Sequence, residues 1–128
     1  VSGELGRVHQ VLREALLTVD GLDVPKRPSQ PLAPPAAYVG PPSLVWDGYE
    51  THAREATFEV VLVAAARDDA VDVLYGFLPR VSEALDNIDR RKADVVVKSA
   101  EPGTWQSGTQ TLPCYFIRVE AALSDGSP

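Results

Sequence analysis

A chain of 128 residues, 45% apolar and 23% charged, is long enough for one hydrophobic core and too apolar to stay unfolded. Its net charge of −6 argues against tight binding to nucleic-acid phosphates, which takes clustered Lys and Arg. The single cysteine, Cys114, excludes an intramolecular disulfide and a cysteine-built zinc site, and no apolar run reaches the length of a membrane span.

From the N-terminus, V-S-G-E-L-G-R lacks the layout of a secretory signal, so synthesis in the cytosol without a membrane partner is expected. Ser2 can cap a first helix over residues 3–19, with Leu5, Val8, Leu12, Ala15, Leu16 and Val19 on one stripe and Asp20-Gly21 ending it. Leu22 to Pro42 holds seven of the eleven prolines. So many fixed φ angles and missing donors give an extended crossing segment, in which Ala36 to Val39 can pair briefly at a sheet edge before Gly40-Pro41-Pro42. An irregular piece over 43–54 follows, with the turn signal Asp47-Gly48 between Trp46 and Tyr49.

The stretch Ala56 to Ile88 reads as a strand, an acidic break at Asp68-Asp69 and an amphipathic helix. In T-F-E-V-V-L-V-A-A-A, Phe58, Val60, Leu62 and Ala64 share one apolar face, while the other face is polar at Thr57 and Glu59 and apolar at Val61 and Val63. From Ala70 the period changes: Val71, Leu74, Phe77, Leu78, Val81, Ala84, Leu85 and Ile88 fall on one side of a helix, with Pro79 inside it. Asp94 to Lys98 is a short β-branched strand, Glu101 to Gln110 reads as the tip of a long hairpin, and Thr111 to Leu123 returns. On the return, Tyr115, Ile117, Val119 and Ala121 face one way, Cys114, Phe116, Arg118 and Glu120 the other, and Pro113 suggests a bulge or an edge position. Residues 124–128 form a polar tail. One α+β domain over 1–128 is expected, an antiparallel or mixed sheet of about four strands with two helices on one side.

Chemistry is sparse along this chain. Cys114 with His52 or His9, completed by Asp47, would be the nucleophile and base of a small α+β hydrolase, but a cysteine beside Pro113 in a strand is more often a small buried hydrophobe. His9 falls off the apolar stripe of the first helix and is expected to be solvated. Asp68, Asp69 and Asp72 suit a helix N-terminus better than a cation site, and no phosphate-binding loop or metal-ligand spacing is present, so no cofactor, metal or catalytic residue is expected. Candidate contact residues are Trp46, Tyr49, Trp105 and Gln106 in the expected loops, with Arg67 and Asp68 at the acidic break. Each aromatic either folds back onto the sheet edge or is presented to a neighbour.

The Pro-rich crossing ending P-P-A-A-Y-V-G, the strand F-E-V-V-L-V-A-A-A, the helix V-D-V-L-Y-G-F-L-P-R-V-S-E-A-L and the closing strand C-Y-F-I-R-V-E-A together resemble the tail terminator proteins of long-tailed bacteriophages. The resemblance covers nearly all of the chain and rests on layout. It implies a structural virion subunit in the phage neck and no enzyme, assembled in the host cytoplasm into a homo-oligomeric ring, typically a hexamer. Such a ring caps the tail tube, joins it to the head connector or stopper, and lets DNA pass through its lumen without specific binding. Loops 43–54 and 102–110 are then the expected contact regions. Another neck or tail-tube-like subunit fits the same layout.

Overall fold

The computed structural model describes residues 3–25, 34–46 and 55–123. Numbered in chain order, the elements are α1 (Gly3–Leu17), β1 (Ala36–Val39), β2 (Ser43–Val45), β3 (Glu55–Val63), α2 (Ala70–Asp86), β4 (Asp94–Ser107) and β5 (Gln110–Ala122). β3 lies in the middle. Its alternation puts Phe58, Val60 and Leu62 on one face with no solvent exposure, as the period of two requires. β5 pairs antiparallel with all of β3, from Glu55↔Ala122 to Val63↔Cys114, and β4 pairs along the far side of β5. On the opposite side of β3 lie β1 and then β2, separated by Gly40-Pro41-Pro42.

The result is a five-stranded sheet of order β1-β3-β5-β4, with β2 also beside β3. The α+β class therefore holds, with one strand more than expected and every ladder antiparallel. The additional strand is β2: Ser43–Val45 belongs to the sheet and not to an irregular segment. The rest of the expected 43–54 loop, beyond Trp46, lies outside the described residues, as does the tail 124–128.

Both helices cover one face of the sheet. Val8, Leu12 and Leu16 of α1 and Leu74, Val81 and Leu85 of α2, spaced by four or seven, join Phe58, Val60, Leu62, Ile117 and Val119 in one core. Each such side chain contributes about 1.5–3 kcal/mol by leaving water. The first helix stops at Leu17, two residues earlier than expected. Thr18 and Val19 already bond to carbonyls three residues back, and Gly21 turns the chain at φ +82.

α2 starts at Ala70, but Val71 is 52% exposed and Ala70 takes the inward place. Asp69 occupies the N-cap position without a side-chain capping bond; its carboxylate meets Arg67 Nε at 3.4 Å instead. The helix runs through Pro79, whose ring nitrogen leaves the Tyr75 carbonyl without its helical donor. Burial of Leu74, Val81 and Leu85 on either side offsets that loss. Arg80 ties the helices together: its Nη2 donates to the Asp20 carbonyl at 2.8 Å, and its guanidinium lies 5.0 Å from the Phe77 ring centroid. At the other end of the pair, Arg7 Nη1 donates to the Lys92 carbonyl. The connector after α2 is fixed by Asp89, whose carboxylate accepts from the side chain and backbone of Arg91 and is held below the usual carboxylate range by those bonds.

The hairpin differs most from the sequence expectation. β4 runs to Ser107 and β5 restarts at Gln110, so the tip is Gly108-Thr109, with Gly108 at φ +61, and not a ten-residue loop. Pro113 lies on a central strand. Its carbonyl accepts from Ala64 just past the last β3 pair, so its missing N–H also falls where β3 has ended and costs no ladder bond. The bulge lies across the ladder, between Val97 and Ser99.

Candidate interaction surfaces

The face of the sheet away from the helices is divided by its sequence. Toward the hairpin tip, Val61, Val63, Leu112 and Cys114 form a second buried cluster, capped by the half-buried Trp105 and Phe116. The Tyr38 ring of β1 stands 6.1 Å from that of Trp105 at 52°, a tilted aromatic pair. Trp105 is therefore a strand residue that folds back onto the sheet. Gln106 is also in β4; its Nε2 donates to the Gly108 carbonyl at 3.1 Å and its Oε1 accepts from Thr111 Oγ1 at 2.9 Å, so it braces the turn.

Toward the other end the same face becomes polar. Glu59, Arg118, Glu120, Thr57, Ser43 and Pro41 line a shallow depression of about 350 Å³. Lys98 Nζ lies 3.8 Å from Glu120 Oε1, a half-exposed pair of small energetic weight.

Cys114 sits in the second cluster with 1% exposure. Burial, with the Glu59 carboxylate nearby, pushes its thiol up to about 11, so at neutral pH it is protonated and a poor nucleophile. His9 is on the other side of the sheet: its Nε2 lies 3.0 Å from the Val39 carbonyl and its ring 6.2 Å from that of Phe58. It is thus a part-buried donor and not the solvated side chain expected. His52 and Asp47 lie outside the described residues, as does Tyr49. Among the described residues no three His, Cys, Asp or Glu side chains gather as metal ligands, and no helix is long and apolar enough to cross a membrane. Arg67 and Asp68 are exposed at the start of α2.

The two borders of the sheet differ. On β1 the outward groups are used within the chain: Ala37 N–H donates to the Asp23 carbonyl at 2.8 Å, and the Val39 carbonyl accepts from His9. On β4 the bulge at Val97/Ser99 and Pro102 interrupt the outer edge, which limits indiscriminate strand addition. Behind this edge, between β4 and α2, runs a groove of about 500 Å³ walled by Leu78, Pro79, Val97, Ala100 and Ile117, with Tyr75 at its rim. Tyr75 is 57% exposed, one turn along α2 from Val71. At the opposite border, Val45 and Trp46 are each 51% exposed where β2 ends.

Of the six contact residues named from sequence, Trp46, Arg67 and Asp68 are exposed, Trp105 and Gln106 serve the hairpin, and Tyr49 is not described. Tyr75 and Lys98, which border the groove, carried a faint sequence signal. Tyr75 falls between the inward positions Leu74 and Leu78 of a helical stripe, and Lys98 ends the apolar run Val95-Val96-Val97. No protein-family model matches this chain, and no curated protein matches it.

Proposed function

We propose that this chain is a structural virion subunit, a tail terminator that assembles with copies of itself into a ring, hexameric as the resemblance implies, between the tail tube and the head connector of a long-tailed phage. The observation that carries this reading is that exposed large apolar side chains stand on opposite borders of one rigid sheet, Val45 and Trp46 on one and Tyr75 and Val71 beside the other. Unlike patches on opposite sides of a subunit support head-to-tail contacts, the kind that close into rings. The face away from the helices adds to the reading. Its polar end bears Glu55, Glu59 and Glu120 against Arg118 and Lys98, a net negative wall that suits a lumen through which DNA passes without sticking.

Size-exclusion chromatography with light scattering, negative-stain imaging and incubation with purified tail tubes test the proposal. Rings in solution, or a cap on the tube end, are the expected result. A strict monomer at high concentration that leaves tail tubes uncapped overturns it.

A further inference from the structure

We propose that β4 of one copy pairs antiparallel with β4 of a second copy about a two-fold axis at Val96, so that the two sheets continue into one. β4 borders the sheet, and among the described residues no strand pairs with its outer side. One bond sets the phase of the backbone. Ala64 N–H donates to the Pro113 carbonyl, the next pair after Val63↔Cys114, so the odd-numbered residues of β5 aim their backbone groups at β3 and the even-numbered ones at β4. Opposite Ala122 and Glu120, Asp94 and Val96 therefore direct their N–H and C=O groups to β5, and those of Val95 and Val97 point outward.

The order Asp94-Val95-Val96-Val97-Lys98 complements itself when reversed. A two-fold at Val96 sets Val95 against Val97 of the second copy, each exchanging both backbone bonds, and Asp94 against Lys98, with side chains on one face. Val96, 51% exposed, meets Val96 of the second copy across the axis and leaves water. Lys98 Nζ lies 3.8 Å from Glu120 Oε1, on the face that Val96 shares with Glu120, and its half-exposed side chain can take a second carboxylate there. The bulge after Val97 breaks the edge beyond Lys98, which favours this short register over slipped ones. α2 stands back from the edge along Val97 to Ala100, so a strand can approach without meeting the helix. The ring contact beside Tyr75 uses the same border, so the pair is the form of the chain before it joins a tube.

Sedimentation and oxidative cross-linking test the contact, with circular dichroism melts to show that each variant folds. In the proposed pair the two Val96 Cα atoms are about 4.5 Å apart, within the span of a disulfide. Val96→Cys should therefore cross-link into a dimer on mild oxidation much faster than Leu17→Cys, an equally exposed control. Asp94→Lys and Lys98→Asp should each weaken dimerisation by about tenfold, because the two-fold repeats the altered pair, and the double exchange should restore it. A parent that stays monomeric at high concentration, cross-linking of Val96→Cys no faster than the control, or charge reversals without rescue overturn the pairing. Cross-linking of Val96→Cys to tail-tube subunits in place of itself also overturns it, since the edge then takes another protein's strand. A parent that pairs but neither forms rings nor caps tubes overturns the ring reading and leaves this contact standing.

Discussion

Phe116 on β5 lies across the bare backbone of Gly103 on β4: a Cβ added at Gly103 would stand 2.3 Å from Cε2 of the ring. Gly103 pairs with Cys114, two residues from Phe116, so the ring reaches its neighbour diagonally across the ladder. Gly103→Ala must therefore push the ring off the second cluster, at a cost of about 1–3 kcal/mol in unfolding free energy. In a Phe116→Ala background the same substitution should cost much less. Urea denaturation of the four proteins of this double-mutant cycle checks it, and additive losses would show that the ring is not what excludes the Cβ.

The two tryptophans should separate cleanly. Trp105→Ala removes the cap over Val61, Val63, Leu112 and Cys114 and the partner of Tyr38, and should cost about 1–3 kcal/mol, less than a fully buried aromatic because its ring is partly exposed. Trp46→Ala, at concentrations too low for self-association, should stay within about 0.5 kcal/mol of the parent. Chemical denaturation followed by far-UV circular dichroism measures both.

His9 closes the outer edge of β1. Replacing it with Leu keeps much of the packing against Phe58 and leaves the Val39 carbonyl without its donor, which should cost about 1–3 kcal/mol. His9→Gln, which retains an N–H, should recover part of the loss. Equal losses for both variants in thermal or urea melts would mean that the imidazole acts by packing and not by its hydrogen bond.

Cys114 gives the protein a pH signature in the alkaline range. Its folded pKa, about 11, is above the ordinary thiol value of 9.0, so between these values the native state holds a proton that the unfolded state has released. Stability contributed by this thiol is then full below about pH 9 and declines as pH rises toward 11. Cys114→Ala should flatten that part of the stability profile relative to the parent. Thiol reagents should react slowly with the native protein at pH 8 and quickly after unfolding. Rapid native-state labelling would contradict the burial.

Leu62 sits on the helix-facing side of β3 with no exposure. Leu62→Asp places a carboxylate in the main core with no partner designed for it, a loss of several kcal/mol against a total stability of about 5–15 kcal/mol. The variant should be found in the insoluble fraction on expression, and a soluble protein with native circular dichroism would mean that this face is not the core.

Much of the fold was legible because its rules are local. Alternation in Thr57–Ala64 named the buried face of β3 and that in Cys114–Ala121 separated the two faces of β5, the helical spacing named Leu12, Leu16, Leu74, Val81 and Leu85, and Gly21 marked the turn that follows α1. What misled was reading Glu101 to Gln110 by composition: Pro, Gly, Ser and Thr suggest a loop, yet Gly103 is there to admit Phe116, and Pro102 is tolerated on an edge strand.

By itself, then, the chain determined which residues go inside, since periodicity and turn chemistry act between near neighbours. Only the tertiary structure decided which borders of the sheet stay open, because those depend on residues far apart in sequence. His9 and Asp23 close β1, α2 and β4 enclose a groove between residues 75 and 117, and β2 holds Trp46 on the far border. A surface is defined by what fails to cover it, and no local pattern records that.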